Sequence, residues 1–281
     1  MLHRMAAELA EYGINTFLPT LQANEAVVAR LGAELAAKSG GEAEELRERI
    51  PGLYIEGPFV HPGKRGGILE EHITPPNADR LKRLQDTARG TIKMMTIAPE
   101  LPGADKLISV MEEEGIIPCF GHSTAAFSEG GRAAAVYHRA SGHKVHITHL
   151  FNAMLPISHK EPGLAMLPFM SEDVTFELNG DGVHIHPDML RFCWKHLPRK
   201  RMVLISDAVV SAGKPPGEHV YFGKEVVSGV EGVRYRENGV LIGSHLLLSQ
   251  IAAVFAGITG AGPEEIIPLV MENPIRVLKR G

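Results

Sequence analysis

Five residues of acid–base or metal-binding type each close an apolar, strand-like run: Glu56 in YIEGP, His122 in FGHS, His149 in ITHLFNAM, His184 in GDGVH and Asp207 in ISDA. Glu56 follows Leu-Tyr-Ile, and Asp207 follows Met-Val-Leu-Ile and one serine. In a core, each carboxylate would be desolvated unless a cation or a donor stood beside it. A lone histidine in such a place is more often a hydrogen-bonded structural residue than a ligand. Several such placements in one chain argue for a shared site. Glu56, His122 and His149 offer one oxygen and two imidazole nitrogens, which with a water make the open tetrahedral set of catalytic zinc; iron, cobalt or manganese suits the same donors. Asp207, on the last strand, can take the proton of that water and pass it to a leaving amine. The chemistry implied is metal-assisted hydrolysis.

Residues so far apart in sequence meet only if the elements carrying them end at one place. Seven short apolar runs read as strands: 15–20, 53–59, 92–100, 116–123, 145–151, 174–182 and 201–208. Helical stretches at 23–38, 103–114, 125–140 and 187–196 lie between them, with apolar residues at three-and-four spacing. This alternation is that of βα units around a parallel sheet, whose reactive residues sit at the carboxyl ends of the strands. The closed parallel barrel takes eight strands, and this chain opens with helix-like residues 2–12. The fold class expected is α/β, a (β/α)8-type barrel of the metal-dependent hydrolase kind lacking its first strand. Residues 1–281 read as a single, incomplete barrel domain. Residues 214–243 break the rhythm with a hairpin-like insertion turning at Glu237-Asn238-Gly239, and 244–280 read as helical.

Bulk composition narrows the partners. A net charge of −4 with 22% charged residues supplies no basic stripe for nucleic acid. No apolar run approaches the ~20 residues that cross a bilayer, so no membrane partner is expected. Cys119 and Cys193 show no CxxC spacing, which suits buried thiols in the cytoplasm.

The segments YIEGPFVHPGKRGG, GHSTA, THLFNAMLPISHKEPGL, NGDGVHIHP, SDAVVSAG and GVLIGS resemble, in order and at suitable intervals, the signature blocks of the N-acetylglucosamine-6-phosphate deacetylase family of amidohydrolases. THLFNAM followed by EPGL is the most specific of them. The resemblance implies that Glu56, His122 and His149 are metal ligands holding one divalent ion and that Asp207 is the catalytic acid/base. It implies that the Asn152 side chain, the Ala153 main chain and His184 hold a small-molecule amino sugar phosphate. It further implies a homodimer in which the residue at Lys160 meets the phosphate from a neighbouring subunit. The reaction implied is N-acetylglucosamine 6-phosphate plus water giving glucosamine 6-phosphate plus acetate.

Three departures from the family pattern stand out. The first strand with its HxH pair and the accessory β-domain have no counterpart, so a second metal is not expected. The family's carbonyl-polarising histidine or glutamine corresponds to Ile68, which can donate nothing; His61 and His72 are nearby substitutes. The family's phosphate-binding arginine is Lys160, which keeps the charge but loses the bidentate fork. These departures keep two competing readings open: a catalytically impaired homologue that retains fold and ligand binding, and an amidohydrolase acting on a different amide. His186 reads as a solvent-facing neighbour of the site.

Overall fold

The computed structural model describes residues 1–37 and 41–280. Seven parallel strands pair in strict chain order: β1 (Thr20–Gln22), β2 (Leu53–Phe59), β3 (Ile92–Ile97), β4 (Ile117–Phe120), β5 (Val145–Ile147), β6 (Val174–Asn179) and β7 (Met202–Ile205). Helices cover the outer face: α1 (Leu2–Ala10), α2 (Glu25–Leu35), α3 (Gly41–Arg49), α4 (Ala78–Thr87), α5 (Ala104–Glu113), α6 (Phe127–Ser141), α7 (Leu167–Met170) and α8 (Pro187–His196). A separate antiparallel sheet follows, β8 (Gly217–Tyr221), β9 (Lys224–Gly229), β10 (Gly232–Tyr235) and β11 (Leu241–Gly243), paired in the order β11-β10-β9-β8. The chain closes with α9 (Leu248–Thr259), α10 (Pro263–Ile267) and α11 (Asn273–Leu278). The sheet is thus the (β/α) barrel arrangement in seven strands, and no ladder joins β7 to β1 among the described residues. No described helix is long and apolar enough to cross a membrane.

Local chemistry sets these boundaries. Asn24 and Asn77 cap α2 and α4 by accepting the N–H groups of Val27 and Arg80, at 3.2 and 2.8 Å. His186 does the same for α8, with Pro187 at its first position. It is exposed and lies outside the site, as its sequence context suggested. The first strand expected, 15–20, begins only at Thr20, because Pro19 has no N–H to give a ladder. The run expected at 145–151 stops as a strand at Ile147, where the chain leaves the sheet. The helix expected over 23–38 spans Glu25–Leu35, and residue 38 lies outside the described residues.

Side-chain alternation divides the sheet into two faces. Leu53, Ile55, Met95, Ile97, Phe120, Val145, Ile147, Phe176, Leu178 and Leu204 point outward into one continuous core with the helices. The inner face carries Tyr54, Met94, Ile117, Cys119 and Val203, closed at one end by Val277 of α11. Along β6 the inner positions are all polar, Thr175, Glu177 and Asn179, and all are buried. These groups are satisfied by contacts with neighbouring strands rather than water. Thr175 Oγ1 lies 2.7 Å from His146 Nδ1, and Glu177 Oε1 3.2 Å from His146 Nε2.

Packing is tight where β4 meets β5. A Cβ on Gly121 would stand 2.9 Å from Cβ of Thr148, and each of these residues directly precedes a site histidine. Gly121→Ala should therefore destabilise the protein by about 1–3 kcal/mol, the usual cost of overpacking a core. Urea unfolding measures this, and an unchanged midpoint would show that the two strands can part at no cost.

Candidate active site

Glu56 belongs to β2 itself, in register with Gln22 of β1. His122, His149 and Asp207 each sit two residues beyond the last residue of β4, β5 and β7. All three take a left-handed backbone, with φ of 47°, 25° and 48°. Simple strand alternation would put His122 on the same side as Phe120 and His149 on the same side as Ile147, toward the helices. The left-handed turn brings them to the inner side. Ala153, with φ 50°, is a further strained residue at the same rim. Such conformations cost about 1–3 kcal/mol each and persist only where surrounding contacts enforce them.

Those contacts are present. The carbonyl of His122 accepts the N–H of His61 at 2.9 Å, and the carbonyl of Ala153 accepts that of Ser123 at 2.9 Å. The His149 N–H donates to Glu177 Oε2 at 2.9 Å, and the Asp207 carbonyl accepts the N–H of Ser244 at 2.8 Å.

The three expected ligands converge. His122 Nε2 lies 2.9 Å from Glu56 Oε1 and 3.0 Å from His149 Nε2, and His149 Nε2 lies 3.1 Å from the same oxygen. Among the described residues this is a group whose donor atoms could hold one ion. The hydrogen bonding fits a cation. His122 Nδ1 lies 2.7 Å from the Lys64 carbonyl, which can only accept, so Nδ1 carries a proton and Nε2 faces the Glu56 carboxylate. A cation at the centre, or a proton on a facing imidazole nitrogen, supplies the positive charge that this carboxylate calls for. Burial works against charge on His149, but the hydrogen bond and charge of Glu56 outweigh it and raise its pKa to about 9. Burial likewise opposes charge on Glu56, yet the two imidazoles bring its pKa well below the usual carboxylate range.

Asp207 behaves in the opposite sense. Burial raises its pKa, aided by the charges of Glu56 and Glu177, while His149 and His184 oppose the rise. His184 Nε2 lies 3.6 Å from Asp207 Oδ2, and His184 Nδ1 lies 2.7 Å from Asp181 Oδ2. Asp181 in turn accepts the N–H groups of Val183 and His184, both at 2.9 Å, so His184 is a fixed strut between two carboxylates.

Glu56, His122, His149, Asn152, Ala153, His184 and Asp207 line one cavity, together with Gln22, Tyr221, Leu241 and Ile242. Lys160 does not line it; it stands exposed on the loop after Met154, with its N–H 3.3 Å from Ser158 Oγ. Ile68 is fully buried, and neither proposed substitute takes its place at the cavity. His61 Nδ1 accepts the Gly63 N–H, and His72 Nδ1 lies 2.8 Å from Gln22 Oε1. Sequence reasoning missed Glu177, although a carboxylate at an inner position of an apolar strand was the same signal that marked Glu56, and it missed Asp181, which lies two residues beyond β6. Tyr221, Leu241 and Ile242 carried no such signal, because a separate sheet brings them over the site.

No protein-family model matches the chain. In sequence it is 30% identical over 283 residues to the N-acetylglucosamine-6-phosphate deacetylase of Bacillus subtilis, which covers 98% of this chain and 68% of that enzyme. It is 29% identical to the N-acetylgalactosamine-6-phosphate deacetylase of Escherichia coli O157:H7, covering 99% of this chain and 71% of that one. In structure it is similar to N-acetylglucosamine-6-phosphate deacetylase from Thermotoga maritima, with a TM-score of 0.83 and 27% identity, covering 99% of this chain and 73% of that one. The enzyme of the same name from Mycobacterium smegmatis, in complex with N-acetyl-D-glucosamine-6-phosphate, gives a TM-score of 0.80 at 26% identity over 94% of this chain and 68% of that one.

The raised His149 pKa sets a proton count for ion uptake. Because His149 stays protonated in the ion-free protein up to about pH 9, a divalent ion entering the cluster near neutral pH should displace about one proton, and the release should fade as pH rises through that value. Calorimetry in two buffers of different ionisation enthalpy reads the release. A binding heat independent of buffer would remove the His149 assignment.

Proposed function

The chain belongs to the N-acetylglucosamine-6-phosphate deacetylase family, and from that membership we propose that it hydrolyses the N-acetyl amide of N-acetylglucosamine 6-phosphate to acetate and glucosamine 6-phosphate. The observation that carries the reading is the meeting of Glu56, His122, His149 and Asp207 at one cavity. Glu56, His122 and His149 hold one divalent ion, zinc in this reading, with iron, cobalt or manganese suited to the same donors; when bound it supplies the Lewis acidity that makes water nucleophilic near neutral pH and draws charge from the amide carbonyl.

The chain's own groups do the rest. Asp207, made more basic by burial, takes a proton from the attacking water and delivers it to the amide nitrogen, so that the carbon–nitrogen bond breaks with a neutral amine leaving. His184 faces this carboxylate at 3.6 Å and favours its charged form. Asn152, whose amide nitrogen lies 3.3 Å from the His149 carbonyl, and the main chain of Ala153 hold the sugar phosphate at the rim. In this reading Lys160, exposed and outside the cavity of its own chain, meets the phosphate bound by a second copy in a homodimer. The buried thiols of Cys119 and Cys193 suit the cytoplasm as its setting.

Asp207→Asn should leave bound metal unchanged and lower turnover by about 10²–10⁴-fold, the range for a lost general acid/base. Acetate release with metal analysis measures both, and near-parental turnover would move the proton shuttle elsewhere. Charge removal in Lys160→Met should weaken binding of N-acetylglucosamine 6-phosphate far more than of N-acetylglucosamine, and Lys160→Arg should tighten it through two parallel hydrogen bonds. Calorimetric affinities for the two sugars across the three proteins decide the point; equal losses for both would remove the phosphate role.

A further inference from the structure

Most hydrogen-bond donors that line the cavity are already engaged. The Gln22 amide nitrogen donates to the Gly67 carbonyl at 3.2 Å, while its oxygen accepts the Leu69 N–H at 2.9 Å. The Asn152 amide nitrogen is directed at the carbonyls of His149 and Leu150. His122 and His184 spend their Nδ1 atoms on Lys64 and Asp181. Tyr221 differs from all of them. It closes β8, its ring packs edge-on against Phe222 with centroids 4.5 Å apart, and it packs on the cluster of Val226, Val233 and Tyr235. Its hydroxyl has no hydrogen-bond partner among the described residues, and the residue lines the cavity that Glu56 and Asp207 share. Burial and then the charge of Glu56 keep its proton on well above neutral pH, so it stands as a donor.

Attack of water on an amide carbon places negative charge on the carbonyl oxygen. A fixed donor aimed at that oxygen strengthens its hydrogen bond as the charge grows, and each such donor is worth about 10²–10³ in turnover. We propose that the Tyr221 hydroxyl donates to the acetyl carbonyl oxygen of the substrate, making it a catalytic residue supplied by the four-stranded sheet. The inference rests on the amide-hydrolase reading above. Tyr221 keeps its proton throughout, and no bond of its own is made or broken.

Tyr221→Phe in the metal-loaded full chain keeps the ring and its packing, so the thermal midpoint serves as the check on folding. Turnover and kcat/KM should fall together by about 10²–10³-fold while KM stays within about twofold, the pattern of an interaction made only in the transition state. A second readout needs no turnover. A phosphonamidate analogue of N-acetylglucosamine 6-phosphate, tetrahedral where the carbonyl carbon lies, should bind the variant more weakly by a comparable factor. Glucosamine 6-phosphate, which has no acetyl oxygen, should bind both proteins alike. Parental turnover in the variant, or a rise in KM alone, overturns the role of Tyr221 while leaving the hydrolase reading intact. A parent protein that releases no acetate overturns both.

Discussion

His122 Nε2, His149 Nε2 and Glu56 Oε1 stand within 3.1 Å of one another, and the tautomer of His122 is fixed from behind by the Lys64 carbonyl. A lone pair and a carboxylate oxygen at that separation repel unless positive charge lies between them. The fold holds this arrangement instead of relaxing it. Its parts come from β2 and from the ends of β4 and β5, elements that the parallel sheet locks in register. The cluster therefore suits a cation at its centre, and the opposite pKa directions of Glu56 and His149 express the same pairing of charges in protons.

Keeping the donors converged has a conformational cost, and the second layer of the structure offsets it. His122, His149, Ala153 and Asp207 all hold left-handed backbones without being glycine. For His149 the restraint is Glu177, which accepts the strained N–H with one oxygen and faces His146 with the other. Glu177 and His146 are almost wholly buried, so this restraint is not competed away by water. The polar inner face of β6 is thus a scaffold for the site next to it rather than a gap in the core.

Much of this was legible in the sequence. Strand positions followed from apolar runs, and the polar residue closing each run marked the rim of the sheet, which located Glu56, His122, His149, His184 and Asp207. Strand ends were less legible, because the runs continue past the ladder. Residues 148–151 stay buried or half-buried and read as strand, although the chain has already turned at His149. Backbone sign carries no composition signal except through glycine, and these turns are not at glycine. Wall residues such as Tyr221 were not legible for a different reason. Their place depends on how a second sheet docks, and that is set by contacts between residues more than 150 positions apart, such as the Tyr235 hydroxyl donating to the Gly67 carbonyl at 3.1 Å.

Docking of that sheet and placement of Asp207 are one structural event. Ser244, just after β11, donates its N–H to the Asp207 carbonyl, and its own carbonyl accepts the N–H of Val209 at 3.2 Å. Gly243, with φ of 153°, passes so close that a Cβ there would lie 2.6 Å from the Asp207 carbonyl oxygen. Only a residue without a side chain brings β11 near enough for that bridge. The same approach lays Leu241 and Ile242 over the cavity, where Ile242 meets Gly67 on the opposite rim. Any change that lifts the four-stranded sheet would therefore open the wall and release the strained Asp207 backbone together. The cavity wall and the Asp207 backbone are thus tied together through two backbone hydrogen bonds.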